Sequence, residues 1–259
     1  MIQKTIHYCW FGGKPLPKFA EKCLRSWKKY CPDYEIVRWD ESNFNVHCNA
    51  WCASMYEQKR WAFLSDYARL KIIYENGGVY LDTDVELVKS LDMVLNDSCF
   101  MGLDTTKMVN NGLGFGAEKN HPFIKINMDA YDAVTDFANP ELNSWITTRL
   151  LKPYGVDCES TEVQQLDGVT IYPSVYFCAK HTHTGIITIT SNTISIHHFD
   201  CSWDTPAGRA MQKERWKQYH KEYIRQAPKR AVRKWIGEKN YQKLKKFLKK
   251  DREGQKCAI

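Results

Sequence analysis

Two carboxylates, Asp82 and Asp84, stand one residue apart just after the apolar run Val79-Tyr80-Leu81, which Gly77-Gly78 separates from a long helical pattern. On a regular strand, carboxylates at i and i+2 share a face. On a strand turning into a loop they divide the work, one gripping a divalent cation and the other a sugar hydroxyl or a metal-bound water. Hard cations such as Mg²⁺ and Mn²⁺ use one or two carboxylates and complete their shell with water and substrate phosphates. The spacing therefore points to a nucleotide-diphosphate site. An Asp-x-Asp alone is a weak signal, since solvated acids at a strand end look the same. Ser65, Asp66 and Arg69 on the preceding helix strengthen it. Asp66 and Arg69 lie three apart on one helix face, either as an internal ion pair or with Arg69 facing phosphate and Asp66 a sugar hydroxyl.

A second constellation is Ile196-His197-His198-Phe199-Asp200-Cys201-Ser202-Trp203. Adjacent histidines leaving a strand point to opposite sides, so at most one faces a metal, and an imidazole ligand favours Mn²⁺ over Mg²⁺. Core or solvated histidines are the plainer reading. Trp203 and Trp10 offer flat apolar faces for stacking a base or sugar ring, though an isolated tryptophan is more often core.

Positioning these groups requires an α/β framework. Thr5–Trp10 reads as a strand and Glu35–Trp39 as another. Between them Phe19, Cys23, Trp27 and Tyr30 recur at helical spacing, which gives a parallel βαβ unit. A single helix is expected from Met55 to Asn76, with Trp61, Leu64, Ala68 and Ile72 along one stripe and Gly77-Gly78 as its C-terminal cap. The next strand, Val79–Leu81, places the two acids at its C-terminal end, where ligands bind in open α/β sheets. Further strands are expected at 99–103, 112–116, 169–172, 186–190 and 193–197, a helix at 121–132, and irregular helix and loop over 133–168. The tail is expected to be helical in pieces.

The chain has 259 residues, 43% of them hydrophobic, enough for one substantial core and too many for a disordered chain. It lacks an apolar run near the roughly 20 residues that span a bilayer and a signal-type apolar segment near Met1, so a cytoplasmic location is expected. The ten cysteines form no C-x-x-C pair, which argues for reduced, buried thiols. A zinc site from His47, Cys48 and Cys52 is set aside for want of a second paired cluster. The terminal Cys257-Ala258-Ile259 is one residue short of a prenylation box. The net charge of +7 is unevenly spread: residues 206–259 carry 18 Lys and Arg against 5 Asp and Glu, while the rest of the chain is mildly acidic.

These motifs together resemble glycosyltransferase family 32, which includes bacterial capsular-polysaccharide transferases and yeast mannosyltransferases, and are similar also to the glucosylating domain of large clostridial toxins. The resemblance lies in Ile6-His7-Tyr8-Cys9-Trp10-Phe11-Gly12-Gly13, Ser65-Asp66-Tyr67-Ala68-Arg69-Leu70, Tyr74 to Asp84, and His197-His198 with Ser202-Trp203. It spans residues 1 to about 205 in consistent order. It implies a GT-A (Rossmann-like) fold over residues 1–205, with a nucleotide-sugar half at 1–103 and an acceptor-side half at 104–205. Residues 206–259 would form a basic amphipathic helical tail. The resemblance also implies a UDP-sugar donor, Mn²⁺ or Mg²⁺, and retention of anomeric configuration. On this reading Trp10 stacks on the base, and Asp66, Arg69 and Tyr80 hold ribose and donor sugar. Asp82 takes ribose or metal water, Asp84 ligates the metal, and His198 is the second metal ligand. Ser202 and Trp203 contact the diphosphate, and Asn111 reaches the sugar.

Two other classes compete. A haloacid-dehalogenase phosphatase also has a strand ending in Asp-x-Asp, but there Thr or Val follows two residues after the second acid, where this chain has Glu86. The basic tail also suits a non-enzymatic module on an anionic membrane surface. It carries no nucleic-acid motif. The expectation is a retaining glycosyltransferase of bacterial capsular or surface polysaccharide synthesis, acting on a glycan acceptor on a lipid carrier. It would dock peripherally on the inner membrane face through the tail.

Overall fold

The computed structural model describes residues 1–200, 206–238 and 240–242. Its first compact unit comprises Met1–Thr182 and Ile186–Arg209, and the second His183–Gly185 with the chain from Ala210 onward.

The first unit opens with the expected βαβ unit: β1 (Thr5–Cys9), α1 (Lys18–Tyr30) and β2 (Glu35–Trp39), with β1 and β2 parallel and in register from Thr5↔Glu35 to Cys9↔Trp39. Next come α2 (Ala50–Glu57), α3 (Trp61–Asn76), β3 (Gly78–Tyr80), β4 (Val85–Leu87), β5 (Cys99–Gly102), β6 (Phe115–Ala117), α4 (Pro122–Asp132) and α5 (Asn143–Leu151). The unit continues with β7 (Gln164–Gln165), β8 (Thr170–Tyr172), α6 (Ser174–Phe177) and β9 (Ser195–His197). Seven strands form one mixed sheet in the order β2-β1-β3-β6-β5-β8-β7, and β4 pairs with β9 in a separate two-stranded ribbon.

Helices cover the sheet on both faces, the layering that buries a strand on two sides. On one face Tyr8 packs edge-on against Trp27 of α1, whose indole N–H donates to Val85 O at 2.8 Å. On the other lies the main core, where Leu64, Ala68 and Ile72 of α3 meet Cys9, Tyr80 and Phe115 from the sheet. The single stripe expected for α3 understates it. Phe63, Tyr67, Leu70 and Ile73 are buried as well, because α2 and α4 flank this helix, while Trp61 is only half-buried.

The structure departs from expectation at several elements. The helix expected from Met55 to Asn76 is two helices, broken where Lys59 takes a left-handed φ of 56°. The break lets α2 fold back on α3, and the Trp51 indole then donates to Phe63 O at 2.8 Å. The strand expected at 112–116 begins instead as a tight helical turn at Asn111–Leu113, because the Asn110 side chain accepts the Gly112 N–H at 2.9 Å. Residues 186–190 form no strand and make only a bridge at Lys180↔Ile187. The helix and loop expected over 133–168 include one regular helix, α5. No strand was expected at β4, the element that matters most to the site.

In the second unit, the described residues are mainly α7 (Pro206–Arg225), most of which belongs here, and α8 (Ala227–Ile236). The Arg230 guanidinium lies 3.5 Å from the Tyr223 ring centroid, and Met211, Ile224 and Trp235 are exposed. The eight described cysteines are free thiols. Among the described residues no helix is long and apolar enough to cross a membrane.

Candidate functional site

The acid pair is placed by a hard turn out of α3. Gly77 and Gly78 both take positive φ, 72° and 94°, and a Cβ on Gly78 would sit 2.8 Å from Thr5 O. Only glycine allows that approach. It lets β3 pair in parallel with β1, and Leu81 N–H donates to His7 O at 3.0 Å. Asp82 and Asp84 therefore leave the sheet at the C-terminal end of β3, beside that of its parallel neighbour β1. The chain turns at once, with Val85 N–H donating to Asp82 O at 3.0 Å, and enters β4.

Pairing of β4 with β9, Val85 opposite His197, closes the site from late in the sequence. Asp84 is its anchor. Its Oδ1 lies 3.2 Å from His197 Nε2, its Oδ2 accepts the Asp200 N–H at 2.8 Å, and its carbonyl accepts the His198 N–H at 3.0 Å. Phe199 reaches this geometry with a φ of 53°, unfavourable for a bulky residue and tolerated here where Asp84 fixes both flanking amides.

Behind the pair lies Arg69, 3% exposed. Its Nη2 is 3.1 Å from Asp66 Oδ1 and 3.2 Å from Asp82 Oδ1. Its Nη1 donates to Asn111 Oδ1 at 3.1 Å, and its Nε to Ser65 O at 3.0 Å. The guanidinium also faces the Tyr80 ring, 5.0 Å from its centroid. The ion pair between Asp66 and Arg69 is thus real, and it is the support that aims Asp82. Gly112 completes the support: a Cβ there would fall 2.8 Å from Asp82 Oδ2 and 3.3 Å from Arg69 Nη1. A side chain at 112 would push the carboxylate off its guanidinium.

The electrostatics differ between the two acids. Burial would raise the Asp84 carboxyl, but the His197 imidazolium and the Asp200 amide outweigh it and hold it at about 2. Burial would likewise lower His197, but Asp84 outweighs it, and the imidazole sits above its ordinary 6.5. Asp82 is raised, by burial that Arg69 only partly offsets. Asp66 is pushed up to about 6, again by burial against Arg69.

Carboxylate oxygens of Asp82 and Asp84 and a ring nitrogen of His197 all lie within 4.8 Å of one another. The side chains of Asp82 and Asp84 remain 26% and 17% exposed, so a ligand can reach them. Two hard oxygens and one imidazole fit Mn²⁺ well and Mg²⁺ acceptably.

The structure corrects the histidine assignment: His197, not His198, stands with the two acids. His198 turns to the other side, as alternation along a strand requires. Its Nε2 is 2.9 Å from Glu86 Oε2, and its ring packs edge-on against Phe19 at 4.9 Å. Glu86 also accepts from Lys22 at 2.9 Å. Asn111 is fully buried, bound to Arg69 and, through Nδ2, to Thr147 Oγ1 at 3.4 Å, so it positions Arg69 and does not open toward a sugar. Tyr80 is buried beneath Asp82. Trp10 is half-buried beyond the end of β1, its indole donating to Lys14 O at 2.6 Å. Ser202 and Trp203 lie outside the described residues.

One residue escaped the sequence reading. Asn143, at the start of α5, donates to Asp66 Oδ1 at 3.0 Å, while its own Oδ1 is buried with no partner among the described residues. Its position, in a stretch with weak hydrophobic patterning, carried no local signal.

The first unit is thus a layered α/β domain with paired acids following β3, opposed by an imidazole from late in the chain. Residues 17–101, which include Asp66, Arg69, Asp82 and Asp84, match the family model described as the glycosyltransferase sugar-binding region containing DXD motif. Among curated proteins the chain is similar to inositol phosphoceramide mannosyltransferase 3 of Schizosaccharomyces pombe, 31% identical over 127 residues, covering 48% of this chain and 35% of that protein. It is similar also to lactosylceramide 4-alpha-galactosyltransferase of Rattus norvegicus, 29% identical over 133 residues, covering 46% and 34%. The chain thus matches little more than a third of each. Among solved structures, the PaToxG glycosyltransferase aligns with 59% of this chain and 68% of its own at 18% identity, TM-score 0.46.

Proposed function

We propose that this protein is a metal-dependent, retaining glycosyltransferase that moves a sugar from a UDP-sugar to a glycan acceptor in bacterial capsular or surface polysaccharide synthesis. The observation that carries this reading is the convergence of Asp82, Asp84 and His197 beside a buried arginine that holds Asp66 and Asp82 together. Asp84 and His197 would hold Mn²⁺, with Asp82 as a third ligand or bound to a metal water. The ion, when bound, supplies Lewis-acid stabilisation of charge on the departing diphosphate. Asp66 and Asn143 orient the donor sugar, Trp10 stacks on the base, and Ser202 and Trp203 meet the diphosphate. Asp66 is already engaged by Arg69 and Asn143, which suits attack by the acceptor hydroxyl on the face the diphosphate leaves, without an enzymatic nucleophile. Isolation of a glycosylated Asp66 peptide from donor-treated protein would count against that route.

The test separates the two histidines. Mn²⁺ with UDP at about 100 times the dissociation constant should stabilise the fold by roughly 2.7 kcal/mol, a rise of about 5–10 °C in melting temperature for a unit of this size. His197→Ala should abolish the Mn²⁺-dependent part of the rise and His198→Ala should keep it. An equal Mn²⁺ response in both variants would remove His197 from the site and defeat the reading. The response should weaken as pH falls below the raised His197 value, because the ion must displace that proton.

Membrane docking extends the same proposal. The second unit concentrates basic residues around exposed apolar side chains, with Lys229, Arg230, Arg233 and Lys234 on the same helix as Val232 and Trp235, the latter 87% exposed. Near an anionic surface each basic residue contributes about 1 kcal/mol. The similarity to transferases named for ceramide lipids favours a lipid-borne acceptor at the cytoplasmic membrane face. Sedimentation with phosphatidylglycerol vesicles should fall when residues from 228 onward are removed; unchanged, salt-insensitive binding would rule this out.

A further inference from the structure

β2 is the outermost strand on its side of the sheet, and the face it shares with β1 is only partly roofed. Register sets Thr5 opposite Glu35, His7 opposite Val37 and Cys9 opposite Trp39, and alternation puts these side chains on one face. Cys9 lies in the main core with α3. That helix ends at Asn76, and Thr5, Glu35 and Val37 stay half-buried or exposed. The row opens, beside Asn76, into a cleft of about 260 Å³ that Gln3 also borders. Gln3, Thr5 and Glu35 stand at the N-terminal ends of β1 and β2, the opposite end from the acids that follow β3.

The floor of the cleft is complete in itself. The His7 ring, 3% exposed, sits between two partners: its Nε2 is 3.1 Å from Gly77 O, and its Nδ1 accepts the Trp39 indole N–H at 3.1 Å. The indole is thereby held in one orientation next to Val37. The walls are different. Asn76 commits its Nδ2 to Ile72 O at 2.8 Å and leaves its Oδ1 over. The side chains of Gln3, Thr5 and Glu35, which also line the cleft, enter no hydrogen bond or ion pair among the described residues.

This lining selects a chemistry by what it contains and what it lacks. It has no lysine or arginine to take a phosphate or a carboxylate. One carboxylate among neutral groups leaves a divalent cation short of charge, and a carboxylate, two amides and a hydroxyl are too polar a rim for an acyl chain. What fits is a neutral ligand with hydroxyls to donate and one apolar face to lay on Val37 and Trp39. A pyranose ring has both. The cleft is smaller than the roughly 300–1,000 Å³ of drug-sized sites, which suits a single ring.

We propose that this cleft is a second carbohydrate site, holding one hexose ring of the glycan away from the acid pair. The glycan as the source of that ring rests on the proposed transferase reading; the sugar chemistry of the cleft does not. An enzyme that extends a polymer gains from a second contact, because a chain held at one place stays at high effective concentration at the other.

The test is saturation-transfer NMR of the full chain with methyl glucoside, methyl galactoside and methyl mannoside, in the presence of Mn²⁺ and UDP. At least one glycoside should bind, and binding should persist in Asp84→Asn. Glu35→Ala should weaken it about tenfold, the usual loss for a hydrogen bond to a charged group, and Thr5→Val should weaken it less. Neither variant should change UDP release with a p-nitrophenyl hexoside as acceptor. Absence of binding by all three glycosides overturns the inference. Binding that Asp84→Asn abolishes, or that Glu35→Ala leaves unchanged, would place the sugar at the acid pair and also overturns it. Displacement of the glycoside by uridine would make the cleft a nucleoside site, with the same consequence. Failure of the wild-type chain to release UDP from any UDP-hexose is a separate result: it removes the transferase reading, while glycoside binding in the cleft is decided by the NMR alone.

Discussion

Replacement of Asp84 by Asn should lower UDP-sugar turnover by about 10³-fold, the several kcal/mol that a correctly held cation contributes to a charged transition state. Asn keeps the volume and can still accept the Asp200 amide now bonded to Oδ2 at 2.8 Å, so the fold should persist. What disappears is the negative charge that competes for the ion. The Mn²⁺-dependent rise in melting temperature should vanish with it. The same substitution alters the pH profile of the ion-free protein. Asp84 sits below its ordinary 3.8, so its stabilisation is present above 3.8 and is lost as pH falls toward about 2. His197 sits above its ordinary 6.5, so its stabilisation is full below 6.5 and is lost as pH rises through the raised value. The wild type should therefore exceed Asp84→Asn in metal-free stability mainly between about 4 and 6.5, and the gap should narrow on either side. Thermal melts across pH in EDTA, alongside UDP-release assays in Mn²⁺, measure both effects. Near-normal turnover in Asp84→Asn would defeat the assignment of the ion to this corner.

Much of this corner could be read from local signals. The double glycine after an amphipathic run, followed by three strand-forming residues, determined where β3 begins and where its acids emerge, because glycine alone accepts the positive φ angles and the contact with Thr5. Asp66 and Arg69 could be placed on one face by helical period alone. What could not be read was any relation between distant segments. The three-residue strand β4 is too short to show a pattern, yet its pairing with β9 decides which of two adjacent histidines meets Asp84. Alternation says that only one can; register says which, and register is a tertiary property. Asn111 illustrates the same limit. Its side chain is sealed between Arg69 and Thr147, and no local pattern announces that packing. The break in the helix at Lys59 was hidden because Gln58-Lys59-Arg60 are all good helix formers. Docking of Trp51 on Phe63 overrode that preference.

Arg69→Met should destabilise the first unit by about 3–5 kcal/mol, the usual consequence of removing one partner from a buried ion pair and leaving charge behind. That corresponds to a fall of roughly 10 °C in melting temperature. The guanidinium serves Asp66, Asp82, Asn111 and the Ser65 carbonyl at once, and methionine replaces its volume but none of those bonds. Arg69→Lys should rank between, since one ammonium cannot span the fork that bridges two carboxylates and an amide. The origin of the loss is testable through pH. Burial already pushes Asp66 up to about 6 with the arginine present, and without it the carboxyl must rise further. A carboxyl raised in the folded state favours folding fully below its unfolded value near 3.8 and loses that contribution as pH rises through its folded value. The deficit of Arg69→Met relative to wild type should accordingly shrink as pH is lowered toward about 6, because Asp66 of the variant takes up its proton at a higher pH than Asp66 of wild type. Adding Asp66→Asn should rescue part of the loss at neutral pH, because it deletes the stranded charge while keeping a group that can bond Asn143. A deficit independent of pH and untouched by Asp66→Asn would mean that Arg69 matters for packing alone, and Asp82 would then need another explanation for its orientation toward Asp84 and His197.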